Sequence, residues 1–262
     1  MMMLQMGETL SMGLFLKRVG ISGLPSLYIM VAVLNIIMSA SYTVLADRVN
    51  NRRIFTWILA LTGIGYLLSY GLLSISEQTA CYLFFEFREI AYTLLIMHFS
   101  LYVRDFYSRQ ESERTFPIIY ASGRVGGILA GLVVASLTPL LGTQTLTLVY
   151  SILAFLAISM LALIEKVLPP KHQAQRTSNT PATNLFSLKD NWSHFTEGLS
   201  YVYRSKLMVA MSSATFLFVL LRYFLNFEYS SIFTQHFPDE TQLTVFLANY
   251  GIVALIIATI LQ

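Results

Sequence analysis

The chain reads as an all-α integral membrane protein, on three observations. Seven apolar stretches are long enough to cross a bilayer: Leu24–Leu45, Ile54–Ser76, Thr79–Val103, Phe116–Leu141, Leu146–Ile164, Leu207–Phe233 and Leu243–Leu261. A crossing helix needs about 20 predominantly apolar residues. Hydrophobic residues are 55% of the chain and charged residues only 12%, against about 25% charged in an average soluble domain. Finally, Leu24–Leu45 and Ile54–Ser76 carry no charge at all, whereas a buried helix of a soluble protein keeps a polar face. The ~10-residue alternating segments of a β-barrel are absent from the sequence.

Taken in order, the elements differ in what they carry. Met1–Leu16 is apolar but short, about 24 Å at 1.5 Å per residue, and no basic stretch precedes it to mark a cleavable signal. The second and third stretches are uncharged. The fourth contains Glu86, Arg88 and Glu89, and the fifth contains Arg124 with the glycines Gly123, Gly127 and Gly131. Short connections between the first six predict that sequence neighbours pack antiparallel.

A long polar segment, 165–206, separates the sixth stretch from the seventh. It opens with Pro169-Pro170 and ends in Trp192, Phe195, Leu199 and Tyr203 at helical spacing, which predicts an amphipathic surface helix near 190–204. Three domains follow: 1–164 as a six-helix half, 165–206 as a loop, and 207–262 as the first two helices of a second half. Six spans, a long loop and more spans is the layout of a two-half transporter. With two helices where six belong, the sequence predicts an incomplete copy, about seven or eight of twelve spans, whose other half could be separately encoded.

Basic residues orient the chain, because lysine and arginine favour the cytoplasmic side. Arg48, Arg52, Arg53, Arg104, Arg109, Arg114, Lys166, Lys171, Arg176, Lys189, Arg204 and Lys206 fall in loops on one side; only Lys17 and Arg18 fall on the other. This puts the N-terminus and the long loop in the cytoplasm. A bacterial inner membrane is the default location.

Charges at bilayer depth cost about 2.5–3.5 kcal/mol on insertion scales and usually face a cavity or a partner. Besides Glu86, Arg88, Glu89 and Arg124, the chain places Glu8 in the first segment and Arg222 and Glu228 in the seventh. Arginines there suit an anion, since the guanidinium offers forked donors to phosphate or carboxylate. Glu86 and Glu89 share a helix face while Arg88 points elsewhere, which predicts separate contacts for them. Arg222, Asn226 and Tyr229 form a polar stripe. These residues are the candidate substrate pathway, with internal ion pairing as the alternative. The glycine line at 123, 127 and 131 suits close helix packing, and His98 reads as a satisfied interior histidine.

No nucleotide-hydrolysing loop, HExxH, CxxC or metal-ligand cluster is present in the sequence. The reading is therefore of a non-enzyme without cofactor or metal, contacting lipid and a small anionic solute but no nucleic acid. Cys81 is the lone cysteine and says nothing of redox compartment.

Two resemblances sharpen this. Leu45-Ala46-Asp47-Arg48 followed by Arg52-Arg53 resembles the signature loop between helices two and three of the major facilitator fold, with Thr43 where that signature begins with glycine. It implies a major-facilitator-type bundle in which Asp47, Arg48, Arg52 and Arg53 belong to a conformational loop. The patches Leu14-Phe15-Leu16-Lys17-Arg18-Val19-Gly20, Gly23-Leu24-Pro25, Glu113-Arg114-Thr115-Phe116-Pro117, Leu141-Gly142-Thr143 and Phe237-Pro238-Asp239 are similar to the ATP/ADP translocases of plastids and intracellular bacteria. That likeness implies nucleotide exchange by alternating access, with Glu89 within one residue of the family's functional glutamate. A non-transporting membrane scaffold or sensor, or an inactive remnant, is the other reading.

Overall fold

Long apolar runs can satisfy their backbone groups in lipid only as helices, and the computed structural model is helical accordingly. It describes residues 2–46, 49–107, 109–167 and 200–261. Eight long helices are found among them: α1 (Met2–Arg18), α2 (Leu24–Ala46), α3 (Asn51–Leu72), α4 (Glu77–Arg104), α5 (Arg109–Leu141), α6 (Thr143–Val167), α7 (Lys206–His236) and α8 (Glu240–Ile260). Residues 200–204 are also helical; the rest of the expected amphipathic helix lies outside the described residues, as do Asp47 and Arg48.

Six helical segments are long and apolar enough to span a membrane, and α1 and α4 are not among them. The 28 residues of α4 still cover about 42 Å; its charges lower its hydropathy, not its reach. Helix ends follow local chemistry. Asn50 caps α3 by accepting from the Arg52 N–H at 2.9 Å, and Asp239 caps α8 by accepting from the Gln242 N–H at 3.1 Å. Each cap satisfies an orphan donor of the first turn. Gly20 (φ 93°) and Gly142 (φ 79°) turn the chain after α1 and α5, in the left-handed region that costs glycine little.

Helix adjacency departs from sequence order. The α3–α4 pair packs as expected, but α1 packs on α4, α5, α6 and α8 rather than on α2. The other main pairs are α3 with α6 and α5 with α8. A short connection fixes direction but not adjacency, and small residues decide who comes close. A Cβ on Gly127 would stand 2.7 Å from Leu255 Cδ1, and one on Gly131 would stand 2.5 Å from Ile252 Cγ1 and 3.2 Å from the Ala248 carbonyl. The stripe is thus the α5 surface on which α8 lies. α1 is the axial helix, with twelve of its seventeen residues buried. α7 is mostly exposed, joined to α8 by rings such as Phe233–Phe246 at 4.7 Å and Phe237–Phe246 at 4.5 Å.

Both ends of the bundle are tied by polar contacts. At one end Arg18 meets Glu240 through Nε (2.8 Å) and Nη2 (3.3 Å), and Glu77 through Nη1 (2.8 Å), while Lys17 Nζ donates to the Thr234 carbonyl at 3.0 Å. One arginine so joins α1, α4 and α8, with the forked geometry that carboxylates favour. At the other end, buried His98 contacts the Asn51 carbonyl through Nε2 (2.6 Å) and the Tyr42 hydroxyl through Nδ1 (2.9 Å). Because a carbonyl only accepts, Nε2 carries the proton, and in the neutral ring Nδ1 accepts from Tyr42. Asn51 Nδ2 then donates to Asp105 Oδ2 at 2.7 Å. His98 is a satisfied interior residue linking α2, α3 and α4.

Candidate functional site

α4, which carries Glu86–Glu89, packs on α3, α1 and α2. The Arg88 Nη1 atom lies 2.9 Å from Glu89 Oε1, with side-chain exposures of 4% and 7%. The expectation of separate contacts therefore fails for this pair. Adjacent residues leave a helix in different directions, but the long arginine stem curls round to reach its neighbour. Its guanidinium also sits over the Phe85 ring at 4.5 Å, a favourable cation–π arrangement. Gly7 of α1 makes the room: a Cβ there would come within 3.1 Å of Arg88 Cγ and 2.6 Å of Tyr150 Cε2. Among the described residues, Arg88 Nε and both carboxylate oxygens of Glu86 have no hydrogen-bond partner although buried.

Two cavities adjoin this layer. One, of about 340 Å³, is lined by Glu8, Arg88, Asn226, Tyr229 and Tyr250 among others. The second, of about 470 Å³, is lined by Glu8, Tyr92, Tyr120, Gly123 and Arg124. Gln5, Glu8 and Leu255 belong to both walls, so α1 forms the partition. Arg124 Nη1 donates to the Ala258 carbonyl at 2.8 Å. A carbonyl leaves the positive charge uncompensated, and four more guanidinium N–H groups remain.

The structure thus gathers Arg88, Glu89, Asn226 and Arg124 about one axial region, with Glu86 buried on the same helix. Arg222 and Glu228 are exposed and line neither cavity; Arg222 stands 5.9 Å from the Tyr92 ring, across the wall of the second. Asn226 Oδ1 accepts from the Tyr28 hydroxyl at 3.1 Å, joining α7 to α2. Arg52 and Arg53 are exposed at the start of α3. Sequence reasoning noted Glu8 only as a charge at depth, yet it fronts both cavities. It placed Tyr229 with Asn226 in the polar stripe, and both line the first cavity; it missed Tyr92, Tyr120 and Tyr250, which carry no spacing signal.

A helical bundle with spanning helices, a layer of buried charges and internal cavities fits a membrane protein of the secondary-transporter class. The model of the major facilitator superfamily matches residues 1–261, and the chain belongs to that superfamily. Comparison with curated proteins and with solved structures returned no match.

Proposed function

We propose that the chain works as an organic-anion carrier by alternating access, with α1–α6 forming one half and α7 and α8 belonging to the second. The single observation behind this reading is the placing of Arg124 and Arg88 on the walls of axial cavities bounded by helices of both groups. Arg124 is the anion-binding residue, its charge facing no carboxylate within ion-pair distance among the described residues. Arg88 is held by Glu89 and serves as a fixed positive wall, while Glu8 and Glu86 are the acidic groups that balance charge or carry protons. The basic loops favour the cytoplasm, so the cavities open inward and the Arg18 end faces out. A nucleotide is the particular anion that the translocase likeness suggests. Such a carrier is not an enzyme.

Uptake of labelled anions, ADP and simple carboxylates included, into proteoliposomes holding the full chain tests this. Arg124→Gln is expected to cut uptake at least tenfold and Arg88→Gln to cut it comparably. Wild-type uptake in both variants overturns the assignment. A second reading, a scaffold that transports nothing, draws on the Arg88–Glu89 pair, which is complete without any ligand. Under that reading the reversed pair Arg88→Glu with Glu89→Arg folds normally and no anion stabilises the protein.

A further inference from the structure

A third cavity lies beside the two above. It occupies about 490 Å³, within the range of small-molecule sites. Phe55, Leu59, Leu95, Phe99, Met160 and Leu161 are among the side chains of its wall, and none of its lining residues is charged. Its polar side chains are Tyr120 and Ser122, and the Ser122 hydroxyl already donates to the Ile119 carbonyl at 2.8 Å. Nothing there replaces the water around a ribose or a phosphate, whose unpaired burial costs several kcal/mol. Hydrocarbon suits it.

This cavity adjoins the Arg124 cavity, with Leu4, Tyr120 and Gly123 in the walls of both. Tyr120 and Arg124 are one helical turn apart on α5, so the charged chamber and the apolar one lie side by side. Glu8 also lines the charged chamber and repels any second negative group a solute might bring. Arg88, the other cation of the region, is already matched by Glu89. The lining therefore compensates one negative charge and not several.

We infer that the substrate is an amphipathic organic monoacid, its carboxylate or sulfonate on Arg124 and its hydrocarbon part in the chamber lined by Phe55, Leu59 and Leu161. This rests on the anion-carrier reading above and narrows it away from polyanions such as nucleotides.

Binding by the full chain in phosphatidylcholine nanodiscs, referenced to empty nanodiscs, decides the matter. The probes are straight-chain carboxylates from butyrate to octanoate, the matching alcohols, and ADP. Affinity is expected to rise about fourfold for each added methylene, the gain expected from burying that group, and to exceed that of the alcohols and of ADP. Arg124→Gln should weaken the acids but not the alcohols. Gly126 lines the chamber, and a Cβ there makes only ordinary contact, 3.6 Å from the Met2 nitrogen. Gly126→Leu should thus weaken octanoate at least tenfold more than butyrate, and Ala157→Leu provides the same test from α6.

Each contrary result is distinct. If butyrate and octanoate bind alike and Arg124→Gln abolishes both, the anion reading stands and the amphipathic one falls. If octanol matches octanoate and Arg124→Gln changes neither, the anion reading falls and takes this inference with it. If a phospholipid co-purifies with the wild type, is lost in Gly126→Leu, and chain length has no effect, the chamber holds membrane lipid and the inference is overturned.

Discussion

Replacing Arg88 by methionine removes the cation from a buried pair but keeps most of the stem's volume. Glu89, whose side chain is 7% exposed, is then left as an uncompensated buried carboxylate. Breaking such a pair from one side costs about 3–5 kcal/mol, and loss of the buried contact with Phe85 at 4.5 Å adds about 2 kcal/mol. A chain of this size shifts its melting midpoint by about 2–4 °C per kcal/mol, so a fall on the order of 10 °C is expected. Melting of the purified protein in detergent, followed by size-exclusion chromatography after heating, reads this directly. Removing both charges, Arg88→Met with Glu89→Leu, should restore at least half the loss, because an apolar pair of similar volume needs no compensation. Arg222→Met is the control: exposed, and 5.9 Å from Tyr92, it should shift the midpoint by no more than about 3 °C, given the ~0.5–1 kcal/mol of an exposed cation–π contact. An Arg88→Met midpoint within 2 °C of wild type would refute the view that this pair is buried and mutually dependent.

Other expectations follow from the same contacts. Arg18→Ala severs the ties to Glu240 and Glu77 and should loosen that end of the bundle; Cys81, buried near it, reports this as at least a tenfold faster maleimide reaction, and an unchanged rate argues against a closed end. Gly131→Leu should destabilise by about 1–3 kcal/mol through overpacking, since relief requires moving the Ala248 backbone 3.2 Å away. Gly127→Ala should be nearly neutral, because it meets only the tip of Leu255; equal melting losses in the two glycine variants contradict the interface. His98→Leu leaves the Asn51 carbonyl and Tyr42 hydroxyl without this partner and should cost about 1–3 kcal/mol, seen as a lower midpoint and faster proteolysis at the α2–α3 connection.

The spans were legible because lipid demands long apolar helices, and a composition-driven constraint survives without knowledge of contacts. The helix ends are set locally too, by Gly20 and Gly142 after α1 and α5 and by Asp239 before α8, although the sequence reading drew no boundary from them. Adjacency was not legible. Whether α1 lies beside α2 or among α4, α5, α6 and α8 depends on where Gly7 meets Tyr150 and Arg88, a match between distant segments. The Arg88–Glu89 pair was misjudged because Cβ direction says little about where a long flexible side chain ends. Glu8 was visible as a charge in an apolar segment, but its role needed the partition formed by α1. Four of the fifteen tyrosines line the two charged cavities; Tyr229 was marked by its spacing from Arg222 and Asn226, and nothing in the local sequence sets Tyr92, Tyr120 and Tyr250 apart.

The axial position of α1 has a bearing on how the protein is made. α1 and α4 are not among the helices both long and apolar enough to cross a membrane; α1 has only 17 residues, most of them buried in the finished bundle. Its companions α4, α5, α6 and α8 leave the ribosome after it. During synthesis α1 therefore has to wait, shielded by the insertion machinery or lodged at the interface, until later helices supply its surroundings. Glu240, which grips Arg18 across 222 positions of sequence, emerges long after it, so the anchoring of α1 has to await α8.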